Sequence, residues 1–331
     1  MFRLGTIELE RPIALAPMDD VTDLAYRRLC KRFGADLVYT EFTNVEGIVR
    51  RVPRSMQKLE MTDDERPVAI QLYGSNGESL AEATKIVEEL GPDFIDINCG
   101  CWVKKVANRG DGAGLLKDLK RFEQVTRSVV ENTTLPVTVK TRLGWDDKSI
   151  VVEDVARMLA ANGVQALTVH ARTRCQGYTG RADWSWFERI KTAAPDLPLL
   201  GNGDVETPED VKRIFEAGVD GVMIGRGAIA NPWLFRRSKA YLATGALPPE
   251  PELRERVEVC LEHLRAQVEL RGERRGVPSF RKLYGNYLKY ARNIAHLRRI
   301  LMTLVEVEPI EALLRQFLEK HENDDLSAGA A

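Results

Sequence analysis

No run of about 18 apolar residues occurs in the sequence, which excludes a membrane-spanning helix. The opening residues, MFRLGTIELERPIAL, show no signal-peptide pattern. Cysteine is scarce: five residues, an odd number without framework spacing, exclude a disulfide scaffold and point to a reducing compartment. The cytoplasm is therefore the expected location, and no metal site is expected. Also missing is the glycine-rich fingerprint of a doubly wound dinucleotide-binding sheet. The stretch after the first apparent strand reads APMDDVTD instead.

Net charge is nearly absent too, at −1, but it is unevenly spread. Residues 271–300 hold nine Lys/Arg and one acid, Glu273, a local net of +8. Residues 301–331 carry a net of −5, and residues 1–270 a net of −4. A concentrated basic block on a mildly acidic chain suits a local contact with a polyanion, and a solvated helix face is the plain alternative.

What is present is an alternation. Short β-rich runs fall at residues 12–18, 37–43, 68–74, 94–98, 137–143, 166–172, 197–204 and 221–227. Segments of helical periodicity separate them, such as SLAEATKIVEEL and TPEDVKRIFEAG. Thr207-Pro208-Glu209 is a helix entry with Thr as N-cap, and Gly163 and Gly218 sit where helices should end. Eight strand–helix units in about 230 residues predict a (β/α)8 TIM barrel within the α/β class, with a doubly wound sheet as runner-up. Past residue 245 the strand pattern stops. LPPEPE marks a linker over 246–252, a small all-helical domain is expected over 253–322, and a disordered tail over 323–331.

Barrel active sites lie at the C-terminal ends of the strands, and the unusual polar residues cluster there: Pro17, Met18 and Asp19 after the first, Glu41 after the second, Gln71 on the third, Asn98 and then Cys101 after the fourth. Lys140 and Arg142 lie on the fifth, His170 and Arg172 on the sixth, Asn202, Gly203 and Asp204 on the seventh, Gly225 and Arg226 after the eighth. Lys140 alternates with Val137 and Val139, so it faces either the barrel interior or water. Gly225-Arg226 fits the phosphate site that such barrels form after strands seven and eight. A flavin mononucleotide with its phosphate there and its ring over the barrel mouth suits the pattern, with Lys140 beside the reduced ring. A Schiff-base aldolase using Lys140 as nucleophile is the rival.

The ordered motifs APMDDVTD, TEF, QLYGS, DINCGCWVKKV, VTVKTRLGW, TVHARTRCQGYTG, GNGDV and VMIGRGAIANPWLF resemble those of tRNA-dihydrouridine synthases, in particular the bacterial B-type branch. The FRKLYGNYLKYA segment resembles that family's RNA-binding domain. The resemblance implies FMN, NADPH as reductant and reduction of the uridine C5–C6 bond in tRNA, and a monomer is expected. By position it makes Cys101 the proton donor and has Asn98 orient the uracil. Pro17, Met18, Asp19 and Gln71 would hold the flavin ring, with Lys140 and His170 near its pyrimidine side. Asn202, Gly203, Asp204, Gly225 and Arg226 would hold the phosphate end. Arg142, Arg172, Lys104 and Lys105, with Arg109 nearby, and Arg274, Arg275, Arg281 and Lys282 of the basic block would meet the RNA. One residue departs from the motif: the family's proline after the catalytic cysteine is Trp102, which adds a stacking surface. Altered or weak synthase activity, and ribosomal RNA as substrate, are the alternatives. Cys99 reads as a small space-filling residue. Gly110, Gly112 and Gly114 read as loop mobility.

Overall fold

The computed structural model describes residues 1–289 and 294–329, with side chains to residue 321. Eight parallel strands form the barrel: β1 (Ile13–Leu15), β2 (Val38–Tyr39), β3 (Val68–Tyr73), β4 (Phe94–Asn98), β5 (Val137–Arg142), β6 (Ala166–His170), β7 (Leu199–Asn202) and β8 (Gly221–Ile224). Each pairs with its neighbour in chain order, and β8 pairs with β1. The Ala14–Leu37 bridge and the 2.9 Å bond from Leu15 N–H to the Leu37 carbonyl link β1 to β2. The cylinder closes. Helices follow the strands in turn: α1 (Leu24–Arg32), α2 (Val45–Val49), α3 (Gly77–Glu89), α4 (Leu119–Val130), α5 (Val152–Ala161), α6 (Trp186–Ala193), α7 (Pro208–Glu216) and α8 (Trp233–Thr244). Thr207 caps α7 in a capping box with Asp210, and Pro208 opens it, as its sequence requires.

Alternation along the strands makes two cores. Outward-facing Val68, Ile70, Ile95, Ile97, Val137, Val139, Leu167 and Val169 pack under the helices. Inward-facing Ala14, Leu37, Ala69, Phe94, Ala166, Leu200 and Met223 fill the N-terminal end of the barrel. Ahead of β1, where the sequence pattern marks no strand, Phe2–Leu4 and Ile7–Leu9 form an antiparallel hairpin. Its Phe2 and Leu4 join the inner cluster and plug that end, so the opposite, C-terminal mouth is the open one.

Among the described residues no strand follows β8. After α8, Gly245 takes a left-handed conformation (φ 73°) and the linker is pinned: Arg237 donates to the Pro248 carbonyl at 3.0 Å, Arg256 to the Pro251 carbonyl at 3.0 Å. Five α-helices follow among the described residues: α9 (Leu253–Arg271), α10 (Glu273–Phe280), α11 (Tyr284–Tyr287), α12 (Ile294–Leu301) and α13 (Val307–Gly329). The segment expected to be a tail from 323 continues as helix to Gly329, and 330–331 lie outside the described residues. The helical part shares the outer core with the barrel. His263 stacks on Tyr26 of α1 at 4.8 Å and meets the Tyr287 hydroxyl at 2.8 Å. Burial holds this imidazole neutral, at about 3, so it is a packing histidine.

Candidate active site

The mouth of the barrel holds a pocket of about 500 Å³. Register explains why: β-pairing sets Asn98 beside Lys140, and His170 beside both Arg142 and Asn202. The last inward positions of β4 to β7 therefore form one polar layer above the apolar plug. Lys140 points into the barrel, and its Nζ reaches Asn202 Oδ1 at 3.3 Å. Pro17, Met18, Asp19, Asn98, Cys101, Lys140, Arg142, His170, Asn202, Gly203, Asp204, Gly225 and Arg226 all line the pocket. Trp102, Val103, Phe42 and Tyr178 complete its rim.

Beneath it runs a directional hydrogen-bond chain. Asp96 accepts from Gln71 Nε2 at 2.6 Å and from Thr138 Oγ1 at 2.5 Å. Gln71 Oε1 then accepts from Asn98 Nδ2 at 2.9 Å, and Asn98 Oδ1 accepts the N–H of Gly100 at 3.2 Å and of Cys101 at 2.9 Å. A carboxylate only accepts, so Asp96 fixes which way both amides point. Burial lifts its pKa to about 6, and the Gln71 and Thr138 hydrogen bonds oppose that. Gln71 was expected on the flavin ring. It is fully buried one layer below the pocket, and its amide bonds Asp96 and orients Asn98.

Of the two loop cysteines only Cys101 reaches the pocket, and Cys99 is buried in the outer core. Burial raises the Cys101 thiol above its ordinary range, with the Val103 N–H and the Arg142 charge opposing. The thiol is therefore protonated at neutral pH. The following glycines are packing sites rather than hinges: a Cβ on Gly112 (φ 54°) would meet Cys101 Cβ at 3.0 Å, and one on Gly114 the Ala107 carbonyl at 2.4 Å. They let the turn Gly112–Lys117 press on the cysteine, where the Ala113 N–H binds the Cys101 carbonyl at 3.1 Å.

The opposite wall is cationic. Burial lowers Lys140 to about 8, helped by Arg142, and lowers Arg142 to about 10, where it stays charged. Burial, with Arg142 and Lys140 next, also keeps His170 well below its usual range and neutral. Arg172 only donates, so its 3.4 Å contact to His170 Nε2 places the imidazole proton on Nδ1. Arg172 itself does not face the pocket. Its guanidinium spans both Asp204 oxygens at 2.7 Å and the Thr179 and Gly180 carbonyls at 3.1 and 2.7 Å. Asp204 also holds Arg226 at 3.0 Å, so this acid anchors two arginines. Gly203, at φ 120°, approaches so closely that a Cβ would meet His170 Cδ2 at 2.9 Å.

The basic block divides. Arg271 pairs with Asp23 of the barrel at 2.8 Å, Lys282 donates to the Asp20 carbonyl at 2.6 Å, and Arg281 to the Leu304 carbonyl at 3.0 Å. These three hold the helices in place. Arg274 and Arg275 are exposed, as are Lys104, Lys105 and Arg109 near the mouth, and none of the five has an ion pair among the described residues. Tyr178 and Phe42 were missed as site residues. Their signal was an aromatic inside QGYTG and TEF, each on the segment that follows a strand.

Fold and site define a class: a (β/α)8 barrel with a polar, cation-walled pocket at its C-terminal mouth and a helical extension. The family model described as "Dihydrouridine synthase (Dus)" matches residues 14–322, and the chain belongs to that family. A Rickettsia bellii protein named "Probable tRNA-dihydrouridine synthase" is 40% identical over 300 residues, covering 90% of this chain and 92% of its own. A Pseudomonas aeruginosa "tRNA-dihydrouridine synthase B" is 36% identical over 329 residues, 99% of each chain. Among solved structures, a morphinone reductase variant in complex with tetrahydroNAD matches with a TM-score of 0.51 at 15% identity, covering 75% of this chain and 91% of that one. A 2-naphthoyl-CoA reductase complex matches with a TM-score of 0.53 at 11% identity, covering 74% and 51%. These two show the barrel fold. No described helix is long and apolar enough to cross a membrane.

Proposed function

We propose that this chain reduces the C5–C6 bond of uridine in tRNA to dihydrouridine, using FMN in the barrel-mouth pocket and NADPH as reductant. The observation that carries the reading is the Cys101 side chain lining a pocket whose other wall is cationic, on a loop held by Asn98 at the Cys101 N–H.

The residues present fit a flavin nucleotide. A Cβ on Gly225 would meet only Ala16 and Met18, at 3.7 and 3.9 Å, so its absence leaves room in the pocket rather than relieving a clash. Arg226, steadied by Asp204, supplies a guanidinium for the phosphate, and Gly203 and Asn202 flank it. Lys140, His170 Nδ1–H and the Nη2 group of Arg142, whose Nε and Nη1 donate to the Gly100, Thr173 and Gly177 carbonyls, offer donors to the pyrimidine side of the ring and to uracil carbonyls. When bound, FMN would supply the hydride to uracil C6. Cys101 then delivers a proton to C5 and recovers it from solvent. Asn98, its orientation set through Gln71 by Asp96, holds the loop amides that place the thiol. Trp102 leaves that geometry intact, because the Asn98 and Ala113 contacts to Cys101 are backbone contacts. This favours retained synthase activity over an RNA-binding flavoprotein of weak or altered activity.

Two outcomes test the parts. Lys140 is charged below about 8, and a bound anion favours the charged form, so binding takes up a proton above that pH. FMN affinity of the stripped protein is expected to fall as pH rises through about 8, and Lys140→Met should bind FMN more weakly with a flat profile. Titrating FMN fluorescence across pH measures both. Arg274→Gln with Arg275→Gln should weaken tRNA binding and lower the slope of log K against log salt by roughly 1–2. An unchanged slope favours a small-molecule substrate. Deleting the coding sequence and digesting tRNA and ribosomal RNA separately tests the whole reading. Dihydrouridine should disappear from tRNA, whereas loss from ribosomal RNA alone would reassign the substrate.

A further inference from the structure

The pocket rim carries aromatic surface that the core does not use. Trp102 and Val103 are 38% and 47% exposed on the loop after β4, and Tyr178 is 47% exposed on the loop after β6. The two aromatic rings meet edge to face at 5.4 Å and 76°. Trp102 also rests on bare backbone, since a Cβ on Gly177 would meet its ring at 3.3 Å. Tyr178 in turn carries the Arg226 guanidinium at 4.2 Å and lies 6.2 Å from the His170 ring. The aromatic pair therefore starts at the polar layer and continues outward, with exposed Lys104 and Lys105 directly after it in the chain.

A π face beside unpaired cations is the arrangement that binds a single-stranded nucleotide: the base stacks and the cation takes its phosphate. Drawing a uridine out of an RNA stack opens one face of its neighbour. We propose that Trp102, braced by Tyr178, stacks the nucleobase next to the reduced uridine, and that Lys104 and Lys105 hold the phosphate of that nucleotide. The inference rests on the RNA reading above and adds a subsite to it. The indole has one N–H donor and no acceptor, so the subsite reads ring area rather than base edges and prefers a purine neighbour.

The test uses the FMN-loaded full chain and a tRNA transcript whose dihydrouridine position has been mapped with the wild-type protein. Matched transcripts carry an abasic residue on one side or the other of that uridine. Trp102→Ala should lower kcat/KM about tenfold, and Trp102→Phe should recover most of it. With the wild-type protein one of the abasic transcripts should lose about the same factor, and with Trp102→Ala it should lose little more. Wild-type kcat/KM in Trp102→Ala, or an abasic penalty equal in both proteins, overturns the subsite while leaving the synthase reading standing. No dihydrouridine on any transcript with the wild-type protein overturns both. A thermal melt of Trp102→Ala matching the wild type shows that its effect is not misfolding, and a melt far below it attributes the loss to folding and counts against the subsite.

Discussion

Cys101→Ala is expected to bind FMN and tRNA while dihydrouridine formation falls by roughly 10²–10⁴-fold, the usual contribution of a positioned acid. The side chain lines the pocket without supporting it: the loop is held through backbone groups, by Asn98 Oδ1 on the Cys101 N–H and by the Ala113 N–H on its carbonyl. Removing the thiol therefore takes away a proton source and little else. Cys101→Ser, whose hydroxyl is a far weaker acid, should stay slow. The sign of the pH dependence follows from burial. The thiol is raised above its ordinary range, so the protonated, active form persists through neutrality, and the single-turnover rate should fall only on the alkaline side of an ordinary thiol's range. Full turnover in the alanine variant would assign the proton to another group.

Arg172→Met should lower stability by about 2–3 kcal/mol while tRNA affinity changes little. The guanidinium is 2% exposed and its donors close on Asp204, Thr179 and Gly180. Truncating one member of a buried pair costs about 3–5 kcal/mol. Here the loss is smaller, because Asp204 is 29% exposed and keeps Arg226. FMN affinity should also drop, since Asp204 freed from Arg172 pulls Arg226 out of its position. Urea midpoints and FMN titration measure these effects. An unchanged midpoint with weakened tRNA binding would return Arg172 to the substrate face.

That contrast shows what the chain discloses and what it withholds. Strand spacing and the polar residues at strand ends were enough to place Cys101, Asn98, Lys140, His170 and Asn202 in one pocket, because period-two alternation decides which face a strand residue takes. Alternation does not say what a side chain then touches. Arg142 ends β5 in register with His170, and Arg172 lies two residues past the end of β6. Both donate to carbonyls of the loop after β6, whose path no local pattern encodes, yet only Arg142 also lines the pocket. Gln71 was legible as an inward residue but not as a relay between Asp96 and Asn98, which depends on three strands at once. The +8 block was visible as charge. Its division between domain contacts through Arg271 and Lys282 and outward Arg274 and Arg275 follows from tertiary docking. The opening hairpin was missed because its strands are three residues each, too short for a period to show.

The central claim is that this pocket makes dihydrouridine on RNA. It is tested most directly by incubating the purified protein with FMN, NADPH and an unmodified tRNA transcript, then mapping the digest by mass spectrometry. The account predicts one or more uridines heavier by two hydrogens, absent without NADPH and nearly absent with Cys101→Ala. A transcript unchanged in mass after incubation with FMN-loaded protein and NADPH would contradict it.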